Sequence, residues 1–204
     1  MSKLLRLFPR IGVAAILLAL TPALRAELIL PSVFSDRLIL QRDAEAPVWG
    51  WADPGEIITV ALRDEKKSCT AGPDGKWRVR LDRHPAGGPF EITIAGKTTR
   101  RLQDVYFGEV WVCAGQSNMQ MLFRTMAFEP KQDSSGSWIV CSPQTAGKFA
   151  AIPFFFGRVL HRKLNVPIGL LNVSLGGSGV EPHQQRGSAG LAFSLGDRTG
   201  ETVG

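Results

Sequence analysis

Apolar and polar residues alternate through the first half of the chain, and the period changes after it. The clearest case is residues 76–81, where Trp77, Val79 and Leu81 interleave with Lys76, Arg78 and Arg80. Successive side chains of a strand point to opposite faces, so this alternation predicts a half-buried strand. Shorter runs at 38–41, 47–51, 57–62, 67–71 and 90–94 read the same way, and Asp53-Pro54-Gly55 and Gly72-Pro73-Asp74-Gly75 are turn signals between them. Six or so strands at this spacing predict a small antiparallel β-sandwich over residues 27–103, with no substantial helix before residue 115.

Beyond residue 104 the pattern is that of an α/β unit. Val110 to Cys113 is an apolar, β-branched and aromatic run that predicts a buried strand. Phe149, Ile152, Phe156, Val159, Leu160 and Leu164 recur at helical spacing, which predicts a helix over 145–164 whose apolar face is core. Pro153 allows that helix to begin effectively at its own position, and Asn165-Val166-Pro167 stops it. A second buried strand follows at 168–174. Strand, helix, strand, with loops after the strand ends, is how open parallel α/β sheets build sites. From 179 to 204 no strand or helix period survives, and this stretch reads as an unpatterned, disordered tail.

The start of the chain is read separately. Residues 1–10 are basic, and residues 11–20 are an apolar run too short for a comfortable membrane span. They are expected to form a signal peptide, removed after Ala26, in a secreted or periplasmic protein that keeps no membrane segment after cleavage. Lys3, Arg6, Arg10 and Arg25 supply four of the six net positive charges, leaving +2 for residues 27–204. No basic cluster interleaved with aromatics appears, so nucleic acid is not an expected partner. Cys69, Cys113 and Cys141 fit neither a disulfide framework nor a zinc site, and Cys113 reads as a small core residue.

The candidate chemistry lies at Ser117. Gly115 permits a turn directly after the 110–113 strand, and a serine on such a turn is presented rather than packed, as a nucleophilic hydroxyl must be. Met119 occupies the place of the second glycine of Gly-x-Ser-x-Gly, which disfavours the α/β-hydrolase elbow. An ordinary strand-to-helix cap is the other reading of a lone serine there. His84 reads as solvated in a polar turn, and His161 as an exposed residue favoured by its helix C-terminus. Trp49, Trp51 and Trp77 read as packing residues or, alternatively, as a sugar-stacking platform.

Taken whole, Gly108-Glu-Val-Trp-Val-Cys-Ala-Gly-Gln-Ser-Asn-Met119 resembles the nucleophile block of the sialate O-acetylesterases, a branch of the SGNH (GDSL-like) hydrolases. Pro47-Val-Trp-Gly-Trp-Ala-Asp-Pro-Gly55 with Asp74-Gly-Lys-Trp77, and the stretch from Leu164 through Gly176-Gly177-Ser178, resemble the same family. The resemblance implies a β-sandwich (27–103) followed by a truncated, flavodoxin-like three-layer SGNH domain (104–178), with the boundary near Gln103–Asp104. It implies Ser117 as nucleophile, the N–H groups of Ser117 and of Gly176 or Gly177 as oxyanion hole, and Gly115, Gln116 and Asn118 as supports of the turn. The implied substrate is O-acetylated sialic acid or another acetylated glycan, and no metal or organic cofactor is implied.

The family's later blocks, an oxyanion-hole Asn in a Gln-Gly-Glu-Ser-Asn-like motif and an Asp-x-x-His pair, do not occur here. His183 has Val180, not an aspartate, three residues before it. The expectation is a truncated or frame-shifted reading frame with little turnover. The alternative is a non-catalytic carbohydrate-binding protein with an inert SGNH remnant.

Overall fold

A computed structural model describes residues 27–120, 137–174 and 192–195, and the expected signal peptide lies outside these. Among these residues ten strands and three helices form a mixed, sheet-rich α/β structure. β2 (Glu45–Trp51) and β5 (Lys76–Arg83) make a two-stranded antiparallel sheet. A larger sheet runs β4 (Glu65–Thr70), β3 (Ile57–Leu62), β6 (Gly87–Ala95), β7 (Thr99–Cys113), β9 (Ile168–Asn172), β10 (Ala192–Leu195), β8 (Trp138–Val140), with β1 (Ile39–Gln41) also on β7.

The alternation in the first half does what the pattern predicts. In β5, Trp77, Val79 and Leu81 are buried while Lys76, Arg78 and Arg80 are exposed. They meet Val48 of β2, Ile58, Val60 and Leu62 of β3, Ile92 and Ile94 of β6, and Val105 and Phe107 of β7 in one core between the two sheets. The strands predicted before residue 95 all form, within a few residues of their expected limits, while the one predicted at 110–113 is the end of a strand that begins at Thr99. β1 departs from the antiparallel expectation, because Ile39–Gln41 pairs parallel with β7 at Tyr106 to Gly108. Hydrophobic alternation fixes which face of a strand is buried and carries no information on its direction.

Turns between the strands are held by a buried carboxylate. Glu56 is only 7% exposed, and it accepts the N–H of Asp53 at 3.1 Å and that of Lys97 at 2.5 Å. Its two oxygens thus tie the turn before β3 to the one after β6, which replaces the water they lose on burial.

β7 is one continuous strand of 15 residues. Its first part pairs antiparallel with β6, and from Glu109 to Cys113 it pairs parallel with β9. The expected boundary at Gln103–Asp104 therefore falls inside a strand, at a residue with φ of 54°. Gly108 marks the change of partner. A Cβ there would collide with the Pro167 carbonyl, lying 2.7 Å from its carbon, while Glu109 donates to the Pro167 oxygen at 2.9 Å.

The expected helix is two helices. Ser142 caps α2 (Pro143–Ala146) through a capping box with Thr145, and α3 (Ala151–Leu164) begins afresh after Ala150. Pro153 sits in the first turn of α3, where its missing N–H has no intrahelical partner to lose. The buried face of α3 is Pro153, Phe154 and Gly157, whereas Ile152, Phe156, Val159 and Leu164 are 40–50% exposed. Close approach to β9 explains the rotation: a Cβ on Gly157 would stand 2.6 Å from Leu170 Cδ1, so the helix packs through its glycine. An apolar period cannot register a residue without a side chain.

One further correction concerns the tail. The stretch read as unpatterned contributes β10, which pairs antiparallel with β9 and parallel with β8. Four residues are too few to declare a period of two, and their backbone pairs on both sides. The remainder of 179–204 lies outside the described residues.

Gly108→Ala tests the junction. Alanine relieves the entropy that glycine loses in a strand, yet the Pro167 carbonyl leaves no room for the methyl group. The overpacking is expected to win and to lower stability by about 2–3 kcal/mol, read from urea unfolding; an unchanged midpoint would refute the close approach.

Candidate active site

Ser117 stands four residues beyond the last pair of the β7–β9 ladder, Cys113 with Asn172. The chain leaves β7 through Ala114 and Gly115, and Ser117 opens the single-turn helix α1 (Ser117–Gln120). Gly115 has φ of 154°, and a Cβ on it would stand 2.6 Å from Met119 Cγ. A side chain at 115 would be strained and would also displace Met119, so the sharp exit depends on glycine. Met119 donates its N–H to the Gln116 carbonyl at 3.0 Å, closing the turn.

Gln116, Ser117 and Asn118 are exposed, while Gly115 and Met119 are half-buried. The turn thus presents the Ser117 hydroxyl to solvent, as the sequence reading requires. Beside it opens an apolar cleft of about 300 Å³, walled by Trp111, Cys113, Ala114, Met119, Ile152 and Phe156 among others. Trp111 meets Phe156 edge-on with ring centroids 5.2 Å apart. The expected buried strand is corrected here: Trp111 is 44% and Val112 64% exposed. Among the described residues β9 covers one edge of this segment and no strand covers the other.

That uncovered edge is closed at its start by side chains. Val110 donates its N–H to Gln41 Oε1 at 2.9 Å, and Arg42 Nε donates to Glu109 Oε1 at 2.8 Å. Gln41, Arg42 and Glu109 therefore anchor the strand that carries Ser117, a support the sequence reading missed. Its signal was Glu109 itself, a charge at the head of an apolar run.

Among the described residues, no histidine or carboxylate hydrogen-bonds Ser117. His161 is half-buried rather than exposed, with Nδ1 2.8 Å from the Val166 carbonyl, a bond that requires the proton on Nδ1. His84 is partnered rather than solvated: Nε2 lies 2.8 Å from Glu65 Oε2, and its ring packs on Phe107 at 4.6 Å. Its polar sequence neighbours gave no sign of a partner 19 residues earlier. Gly176, Gly177 and His183 lie outside the described residues. Also among the described residues, no group of three or more His, Cys, Asp or Glu could hold a metal ion, and no helix is long and apolar enough to cross a membrane.

The cysteines are free. Burial raises the Cys113 thiol above its ordinary value, and Cys113 packs with Phe149, Phe154, Ile168 and Leu170 as a core residue. Burial pushes Cys141 up to about 11. At neutral pH both are thiols, so neither is an activated nucleophile.

A thiol whose pKa rises on folding favours the folded state only while protonated. Cys141's contribution is complete below its ordinary value of 9.0 and is lost as pH rises through about 11. Urea unfolding followed across that window should therefore show a steeper loss of stability in the parent than in Cys141→Ala; parallel curves would show that the thiol is not buried.

No family model matches the chain. Rat sialate O-acetylesterase is 32% identical over 201 residues, covering 76% of this chain and 37% of the rat protein. The human sialate O-acetylesterase is 32% identical over 196 residues, covering 74% and 37%. Among solved structures, a carbohydrate acetylesterase from Xanthomonas citri superposes with a TM-score of 0.69 at 31% identity, covering 76% of this chain and 42% of that one. The chain is a relative of the sialate O-acetylesterase family, and it spans 37% of the length of the curated relatives it matches.

Proposed function

We propose that the chain is a carboxylic-ester hydrolase of the sialate O-acetylesterase type, exported after removal of residues 1–26. In this reading residues 27–103 are a β-sandwich and residues 104–178 are part of an SGNH domain. The observation that carries it is Ser117, exposed on a glycine-dependent turn at the end of β7 and beside an apolar cleft, in a relative of acetylesterases. The substrate is an O-acetyl group on sialic acid or a related sugar.

The chemistry follows from the hydroxyl. Ser117 Oγ attacks the acetyl carbonyl, its proton passes to solvent or a base, and the sugar oxygen leaves with a proton. An acetyl-serine remains, which water hydrolyses to acetate. The N–H of Ser117 and that of Gly176 or Gly177 hold the developing oxyanion, each such donor contributing on the order of 3 kcal/mol. Gly115, Gln116 and Asn118 keep the turn in shape. Among the described residues no histidine meets Ser117; a hydroxyl left so stays neutral, and the surviving acceleration is roughly 10³–10⁴-fold over water by analogy with serine proteases lacking a triad member. The chain is thus expected to be a slow, incomplete esterase.

Hydrolysis of p-nitrophenyl acetate and of O-acetylated sialic acid by the parent and Ser117→Ala tests this. Slow release of acetate, with an acetyl adduct on Ser117 by mass spectrometry, is expected in the parent and neither in the variant. Equal rates in the two proteins would defeat the proposal.

A further inference from the structure

The outward strand positions of the β2–β5 sheet combine aromatic rings, of which Trp49 also packs on the core through Phe34, with a cation that has no carboxylate partner among the described residues. Strand alternation sends Ala46, Val48 and Gly50 inward and leaves Glu45, Pro47, Trp49 and Trp51 outward. The register sets Trp49 directly opposite Arg78, Trp51 opposite Lys76, and Pro47 opposite Arg80. Trp51 is 41% exposed, and half-buried Trp49 is held edge-on by Phe34 with centroids 4.6 Å apart. A groove of about 370 Å³ runs along Glu45, Pro47, Trp49, Arg78 and Arg80. Trp77, by contrast, is buried in the core and takes no part.

The charges on this face are not equivalent. Arg80 pairs with Glu45 at 3.4 Å and Lys76 with Asp74 at 2.8 Å. Among the described residues, Arg78 has no carboxylate partner, although it is exposed and stands opposite Trp49 in the ladder. We propose that this face binds an acidic sugar, a pyranose bearing one carboxylate, with its ring on Trp49 and its carboxylate on Arg78.

Three features select that ligand. Indole faces take the apolar C–H surface of a sugar ring, and cross-strand neighbours lie about 5 Å apart, roughly one pyranose width. A guanidinium presents two parallel N–H groups that match a carboxylate. Glu45 and Arg80 compensate one another in the same groove, so Arg78 leaves it one net positive charge, which matches a single carboxylate better than a polyphosphate backbone. The site lies on the sheet with β2 and β5, does not involve Ser117, and stands whether or not the chain hydrolyses esters.

The test is a titration of the full chain with the methyl glycoside of N-acetylneuraminic acid, with that glycoside's methyl ester, and with sodium acetate, followed by two-dimensional NMR of the indole N–H signals. The acid should shift the Trp49 and Trp51 signals in the millimolar range, and the ester, which keeps the ring but loses the charge, should bind about tenfold more weakly. Arg78→Gln should weaken the acid by about tenfold and leave the ester unchanged, while Ser117→Ala should bind as the parent does. The proposal fails if neither tryptophan signal moves, if acid and ester bind alike, if acetate alone reproduces the shifts, or if Ser117→Ala abolishes them.

Discussion

Everything in the structure depends on β7 changing partners without breaking. For its first nine residues it belongs to the layer facing β2 and β5, and after Gly108 it becomes a neighbour of β9. The change works because the Pro167 carbonyl comes down onto the strand where a side chain would stand, and accepts the very next N–H. A strand shared this way transmits position rigidly, since its hydrogen bonds on either side of the junction fix one another's register. The residue that emerges from its far end, Ser117, is thus placed by the core of the first half as much as by its own surroundings.

The two halves are unequally furnished. The first encloses a continuous core between two sheets, with Trp138 reaching into it through an Nε1–H bond to the Val33 carbonyl at 2.7 Å. The second has a small cluster around Phe154 and Leu170, and it leaves Trp111, Val112, Ile152 and Phe156 substantially exposed around the cleft. Exposed apolar residues gathered at one place mark a surface that makes contacts. Here they flank the turn that carries Ser117, so the apolar cleft and the exposed serine lie together at the end of β7.

Much of the fold was legible because one face of each early strand is buried and the other is wet. Trp77, Val79 and Leu81 could not read otherwise. Ser117 was legible for a different reason: a run of twelve residues matches a known block, and the structure then shows the exposure the chemistry needs. What stayed hidden depends on partners distant in sequence. The direction of β1, the Glu65–His84 pair and the Gln41 plug on Val110 leave no local trace. The face of α3 was misjudged because its closest contact is made by Gly157. The strand at Ala192–Leu195 was missed because pairing on two sides, not a period, defines it.

The parallel ladders on β7 have a consequence in time rather than in energy. Ile39 must find Tyr106, and Glu109 must find Ile168, so each ladder closes only after a long stretch of intervening chain has been brought together. Contacts of such separation slow folding, because loop closure is unfavourable before the contacts themselves form. The hairpin of β3 and β4, whose ends meet across Leu62 and Glu65, carries no such delay. The turn that carries Ser117 hangs from the second of these ladders, so it takes its shape only after local hairpins such as β3–β4 have closed.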